Sequence, residues 1–111
     1  MLRSAVSENK IFQALADPSR RAIFEQLSRG ELAVKDLTER FDISQPAVSQ
    51  HLAALKDAGL VDGRREGRNV YYRVEPNGLK PLIDWITHYR AFWTDRMDRL
   101  EKLLNRMEDE K

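Results

Sequence analysis

The chain has 111 residues and not one of them is cysteine. That excludes disulfides as a source of stability and any thiolate as nucleophile or metal ligand, and it fits a reducing compartment. Nothing in the sequence approaches the ~20 consecutive apolar residues of a membrane span, and the opening MLRSAVSENK lacks the apolar centre of a secretory signal. A cytoplasmic protein with no membrane partner is therefore expected. There is no glycine-rich phosphate loop and no Ser/His/Asp constellation, and His51 and His88 are the only histidines. His88 has Asp84 one turn before it, which is at most a two-ligand fragment of a metal site. Carboxylates are plentiful, but they alternate with Lys and Arg in the manner of solvated helix faces. Catalysis, a cofactor and a metal are thus not expected. The net charge is only +1, so affinity for a polyanion would have to come from local placement of charge.

What the chain does contain is one domain's worth of sequence, 41% hydrophobic, with a core modest enough that dimerisation would help it. The organising stretch is residues 34–59, VKDLTERFDISQPAVSQHLAALKDAG. Val34, Leu37 and Phe41 recur at helical spacing, so a short helix turns one apolar stripe to a core. Asp42 and Ile43 break the pattern. Ser44 is a good N-cap and Pro46 falls in the first turn, where a missing N–H costs little, so a second helix starts at Ser44 or Gln45. Its Val48, Leu52 and Leu55 gather on one side and Gly59 stops it. The other sides are small and polar, and residues 43–56 hold no acidic residue in a chain that is 33% charged. Such a surface suits a helix entering a polyanionic groove, with Ser49 and Gln50 able to hydrogen-bond base edges or phosphates. The plainer alternative is a solvent-exposed helix that happens to be rich in Ala and Ser.

Residues 60–65 (LVDGRR) and 69–74 (NVYYRV) are β-prone runs joined by Glu66-Gly67-Arg68, a hairpin signal in which Gly67 supplies a positive φ. Alternation sends Val70, Tyr72 and Val74 towards the helices and Tyr71 and Arg73 away. Arg64, Arg65 and Arg68 cluster at the tip with Glu66 to offset them, so the hairpin can reach over a phosphate backbone or into a minor groove. The fold class is mainly α with a small β-hairpin: a winged helix-turn-helix.

Three segments, FQALADPSRRAIFEQLSRGELAVKDLTERF, SQPAVSQHLAALKDAGLV and RREGRNVYYRV, together resemble the ArsR/SmtB-type winged-helix repressors of bacteria and archaea. The likeness covers residues 11–74. It implies that residues 44–56 form a recognition helix on double-stranded DNA, with Ser49, Gln50 and His51 facing the duplex and Ser44, Gln45, Pro46 and Lys56 beside them. Residues 64–68 would be the wing. Members are typically homodimers that repress transcription and release DNA on a signal. Metal-sensing relatives carry a cysteine pair in the segment where this chain has Ala33 and Lys35; a methyl group cannot ligate and an ammonium repels a cation, so that site is absent.

Residues 1–10 read as a flexible segment, residues 11–78 as the DNA-binding core and residues 79–111 as a dimerisation helix. Residues 1–7 should fray, with Ser7 capping a first helix that turns Ile11, Phe12 and Leu15 inward and uses Ala14 and Ala16 for close packing. Asp17-Pro18 ends it, and Asp17 or Ser19 caps the next, which carries Ala22, Ile23 and Leu27 inward and stops at Gly30. Arg20 and Arg21 fit solvated charges or ion pairs, with a phosphate contact as the alternative. After Pro76-Asn77-Gly78, Leu79 opens a stretch in which Leu82, Ile86, Tyr89, Trp93, Met97, Leu100, Leu104 and Met107 step by threes and fours. The predicted helix has about 28 residues and is roughly 40 Å long. Ile83, Trp85, Phe92 and Leu103 widen its apolar stripe, while Arg96, Asp98, Arg99, Glu101 and Lys102 suit solvent. Such a surface is a liability in a monomer, which points to pairing with an identical helix through Ile86, Tyr89, Trp93, Met97, Leu100 and Leu104.

The function expected is that of a homodimeric transcriptional regulator, in the first place a repressor, on a pseudo-palindromic operator. Two alternatives stand beside it. One is a winged-helix module whose aromatic helix binds a protein partner. The other is a repressor gated by an organic ligand beside Trp85, Phe92 and Trp93.

Overall fold

The structure is a computed structural model that describes residues 2–109, with side chains from residue 8 onward. It falls into two compact units, residues 1–81 and residues 82–111.

Helix α1 (Leu2–Ala16) starts earlier than the sequence predicts, so Ser7 lies inside it instead of capping it. The side chains of residues 2–7, and Met1 altogether, lie outside the described residues. Ile11 and Ala14 are buried and Leu15 is half-buried, but Phe12 is 44% exposed. At 100° per residue Phe12 sits on the flank of the stripe that Ile11, Ala14 and Leu15 define. Asp17 caps α2 (Pro18–Leu27), its Oδ1 accepting the Arg20 N–H at 3.0 Å, and Pro18 fills the first turn. Ile23, Phe24 and Leu27 are buried, whereas Ala22, expected inward, is only half-covered and Phe24, unforeseen, takes its place.

Arg20 and Arg21 make contacts that the sequence does not suggest. Arg20 Nη1 donates to the carbonyls of Gln13 and Ala14, both at 3.4 Å, and Arg21 Nη1 to that of Leu15 at 2.9 Å. They satisfy carbonyls that the last turn of α1 leaves without helical partners, with positive charge at the negative end of the helix dipole.

A two-residue strand, β1 (Leu32–Ala33), leads directly into α3 (Val34–Phe41). Leu37 of α3 is buried, and Val34 and Phe41 are half-buried. The turn to α4 (Gln45–Asp57) needs one residue in the left-handed region: Asp42, at φ 51°, which ends α3 with its N–H on the Thr38 carbonyl. Ser44 caps α4, its Oγ accepting the Ala47 N–H at 3.2 Å. At the far end Gly59 takes φ 78°, and two bonds close the helix, Leu60 N–H to the Leu55 carbonyl and Gly59 N–H to the Lys56 carbonyl. This is the Schellman arrangement, which only glycine enters without strain.

Strands β2 (Val61–Glu66) and β3 (Asn69–Val74) form the expected hairpin, joined by Gly67 and Arg68, with Gly67 at φ 62°. The sheet nevertheless has three antiparallel strands, in the order β1-β3-β2, because Leu32 and Ala33 pair with Tyr72 and Tyr71. The burial pattern of β3 also departs from simple alternation, since the Arg64 guanidinium lies over the Tyr71 ring. Tyr71, expected on the open face, is as half-buried as Val70, Tyr72 and Val74, and only Arg73 is exposed. The core of the first unit is Ile11, Ile23, Leu37, Val48, Leu52, Leu55, Leu60 and Val61, all essentially inaccessible to solvent. Each large aliphatic side chain there is worth about 1.5–3 kcal/mol over exposure, so the three on α4 fix which of its faces points outward.

Helix α5 (Lys80–Asp109) has 30 residues, about 45 Å at 1.5 Å per residue, and buries none of them. No helix among the described residues is long and apolar enough to cross a membrane.

Candidate nucleic-acid interface

With Val48, Leu52 and Leu55 facing the core, the rotation of α4 is determined, and Gln45, Pro46, Ser49 and Gln50 all lie on its exposed side with Ser44. Lys56 is exposed in the last turn. The acid-free run from residue 43 to residue 56 thus becomes a continuous surface of donors, acceptors and small side chains.

His51 is placed differently from Ser49 and Gln50. It is half-buried, and its Nδ1 is buried with no hydrogen-bond partner among the described residues. Arg20 Nε is in the same condition. Below the helix, Asp17 has its carboxyl held beneath its ordinary 3.8, first by the Arg20 backbone N–H and also by charge on His51 and Arg20.

The wing presents its three arginines unequally. Arg64 is bound by two carboxylates, Glu66 and Glu31, at 2.6 Å each, and its guanidinium lies 4.9 Å from the centroid of the Tyr71 ring. The hydrogen bond to Glu66 and then that to Glu31 raise its pKa further above the ordinary arginine value. Arg64 is thus a brace that ties the wing to the segment before β1. Arg65 and Arg68 are exposed and their side chains make no ion pair or hydrogen bond with any described residue, so they are the wing's available cations. The second partner, Glu31, gives no signal in the sequence: it lies 33 positions away from Arg64, and only the pairing of β1 with β3 brings it near.

Residues 17–62 match the model of the bacterial regulatory protein, arsR family. Over 99 residues the chain is 42% identical to the HTH-type transcriptional regulator Rv2034 of Mycobacterium tuberculosis, spanning 89% of this chain and 90% of that protein. It is 36% identical over 81 residues to the transcriptional repressor SdpR of Bacillus subtilis, spanning 73% of this chain and 90% of SdpR. The chain belongs to the ArsR family. A solved ArsR family transcriptional regulator superposes with a TM-score of 0.73 at 33% identity, covering 81% of this chain and 93% of the other. HlyU from Vibrio cholerae does so with a TM-score of 0.66 at 33% identity, covering 83% and 98%.

Membership of the ArsR family makes this chain a DNA-binding transcriptional regulator and not an enzyme. The family's winged helix-turn-helix is the architecture built above from caps, turns and buried faces. At the positions where the resemblance sets a cysteine pair in metal-sensing ArsR proteins, Ala33 is buried in the sheet and Lys35 is exposed. No group of three or more His, Cys, Asp or Glu side chains that could hold a metal occurs among the described residues.

Proposed function

We propose that this ArsR-family protein is a cytoplasmic homodimeric repressor that reads a pseudo-palindromic operator with α4 and grips the flanking backbone with the wing. The observation that carries the proposal is the orientation of α4: its apolar side is locked in the core, and from Gln45 to Lys56 the face left outside has no acidic residue. Gln50 and Ser49 are assigned to base edges, and Arg65 and Arg68 to phosphates. His51, half-buried where Ser49 and Gln50 are exposed, is assigned a smaller share of the reading of bases.

The dimer rests on α5. Ile86, Tyr89, Trp93, Met97, Leu100 and Leu104 step by threes and fours and are all between 41 and 61% exposed, which suits burial against the same helix of a second copy. Pairing would also double the positive surface that a net charge of +1 leaves small. Repression is supported by the character of SdpR, a transcriptional repressor. Gating by an organic ligand would need a second wall, since Trp85, Phe92 and Trp93 are 36, 49 and 54% exposed. A second copy would supply it.

Titrations of a selected duplex at several salt concentrations test the assignment. Arg68→Ala should weaken all sequences alike and reduce the salt dependence, and Gln50→Ala should change which sequences are preferred. An Arg68 variant that changes base preference without changing affinity contradicts the proposal.

A further inference from the structure

A cleft of about 270 Å³ opens where the start of α3, the first turns of α4 and the beginning of β3 come together. It is smaller than the roughly 300–1,000 Å³ of a drug-sized pocket, and suits a compact polar group. Beside the Tyr72 ring, five polar side chains line it: Lys35 from α3, Gln45 and Ser49 from α4, Arg68 from the wing turn and Asn69 from β3. No carboxylate does. None of the five side chains makes a hydrogen bond or ion pair with a described residue, in contrast to Arg64, which is held by two carboxylates.

Two cations lining one concave surface without a counterion repel each other, and an anion between them turns repulsion into attraction. The backbone contributes in the same sense. Ala33 stands at the N-cap of α3 and has no side chain able to bond the helix's opening N–H groups, and Ala33, Val34 and Lys35 all line the cleft.

We infer that this cleft is a seat for a phosphate group, with Lys35 and Arg68 as its cations and Gln45 and Asn69 as its neutral donors. The inference rests on the DNA-binding reading for the source of that phosphate: Gln45 and Ser49 lie on the outward face of α4, so a group seated here belongs to the backbone flanking the groove that α4 enters. Lys35 thereby joins the interface. A free phosphate-bearing solute has the same chemistry, and the test separates the two sources.

The full-length protein and its Lys35→Gln and Lys35→Arg variants are titrated with a selected duplex between 50 and 200 mM salt. Removing one phosphate-neutralising charge from each of two subunits lowers the slope of log K against log salt by about 1.8, so Lys35→Gln should lose about twelvefold less affinity over that range than the wild type. Lys35→Arg should keep the wild-type slope. In parallel, inorganic phosphate is added to the DNA-free protein at constant ionic strength while the backbone amides of Lys35, Ser49 and Asn69 are followed by NMR. A reduced slope establishes the seat with operator backbone in it. An unchanged slope, with amide shifts present in the wild type and absent in Lys35→Gln, establishes the seat with a free anion as its occupant. Unchanged slope and no shifts overturn the inference. A wild type that binds no duplex sinks the DNA-binding reading instead, and the phosphate titration alone then decides the seat.

Discussion

Replacing Leu100 by alanine should weaken self-association roughly ten- to hundredfold while leaving α5 helical. Leu100 is 48% exposed. Complete burial of a leucine is worth about 1.5–3 kcal/mol, so covering the exposed half contributes about 0.7–1.5 kcal/mol per copy. A two-fold interface contains the residue twice, which doubles the loss to about 1.5–3 kcal/mol, and each 1.4 kcal/mol is a factor of ten in the dissociation constant. Alanine is the best helix former, so the change removes packing surface without disturbing the helix that presents it. Sedimentation equilibrium over a wide concentration range reads the constant directly, with Lys102→Ala on the charged side of α5 as control. A wild type still monomeric at about 100 μM would refute the reasoning, because exposed stripes of this size are a liability unless covered. So would a Leu100 variant that dimerises like the wild type.

Ser44→Ala removes the acceptor that holds the Ala47 N–H and should cost about 0.5–2 kcal/mol, seen as a lower urea midpoint with unchanged slope. Gly78→Ala should destabilise by about 1–3 kcal/mol, since the new Cβ would collide with the Gly59 carbonyl oxygen and press on the Leu60 backbone, neither of which is a flexible side-chain end; wild-type stability would refute that packing. Asp17, its pKa lowered by the Arg20 N–H, contributes stability that is present above its ordinary 3.8 and lost as the pH falls through its lower folded value. Asn is an equal cap, so Asp17→Asn should match the wild type near neutrality and lose less stability in that acidic window; parallel urea midpoints across the window would count against the assignment.

How much of this is legible in the sequence depends on how local the cause is. The cap at Ser44, the apolar triad Val48, Leu52 and Leu55 and the stop at Gly59 all lie within sixteen residues, and the structure has them where the sequence predicts. The same holds for the hairpin, whose Gly67 takes the positive φ that its position requires. Strand β1 leaves no trace in the sequence because two residues carry no periodicity. The wing's charge is misjudged for a related reason: Arg64 finds Glu31 only through the folded sheet. Arg20 and Arg21 read as ordinary surface charge, since nothing local distinguishes an arginine that reaches back to close the preceding helix. Lys35 stands out in the sequence only as a residue that is not cysteine, and its place beside Arg68 is a product of tertiary packing.

The central claim is that two copies of the exposed α4 face meet two successive major grooves of one duplex. Hydroxyl-radical footprinting on a duplex selected from a random pool tests it most directly. Two protected patches related by a two-fold axis and centred about one helical turn, roughly 10–10.5 base pairs, or a whole multiple of it apart are predicted, both vanishing together in Leu100→Ala at dilute protein. A single asymmetric patch that survives loss of self-association would contradict the account.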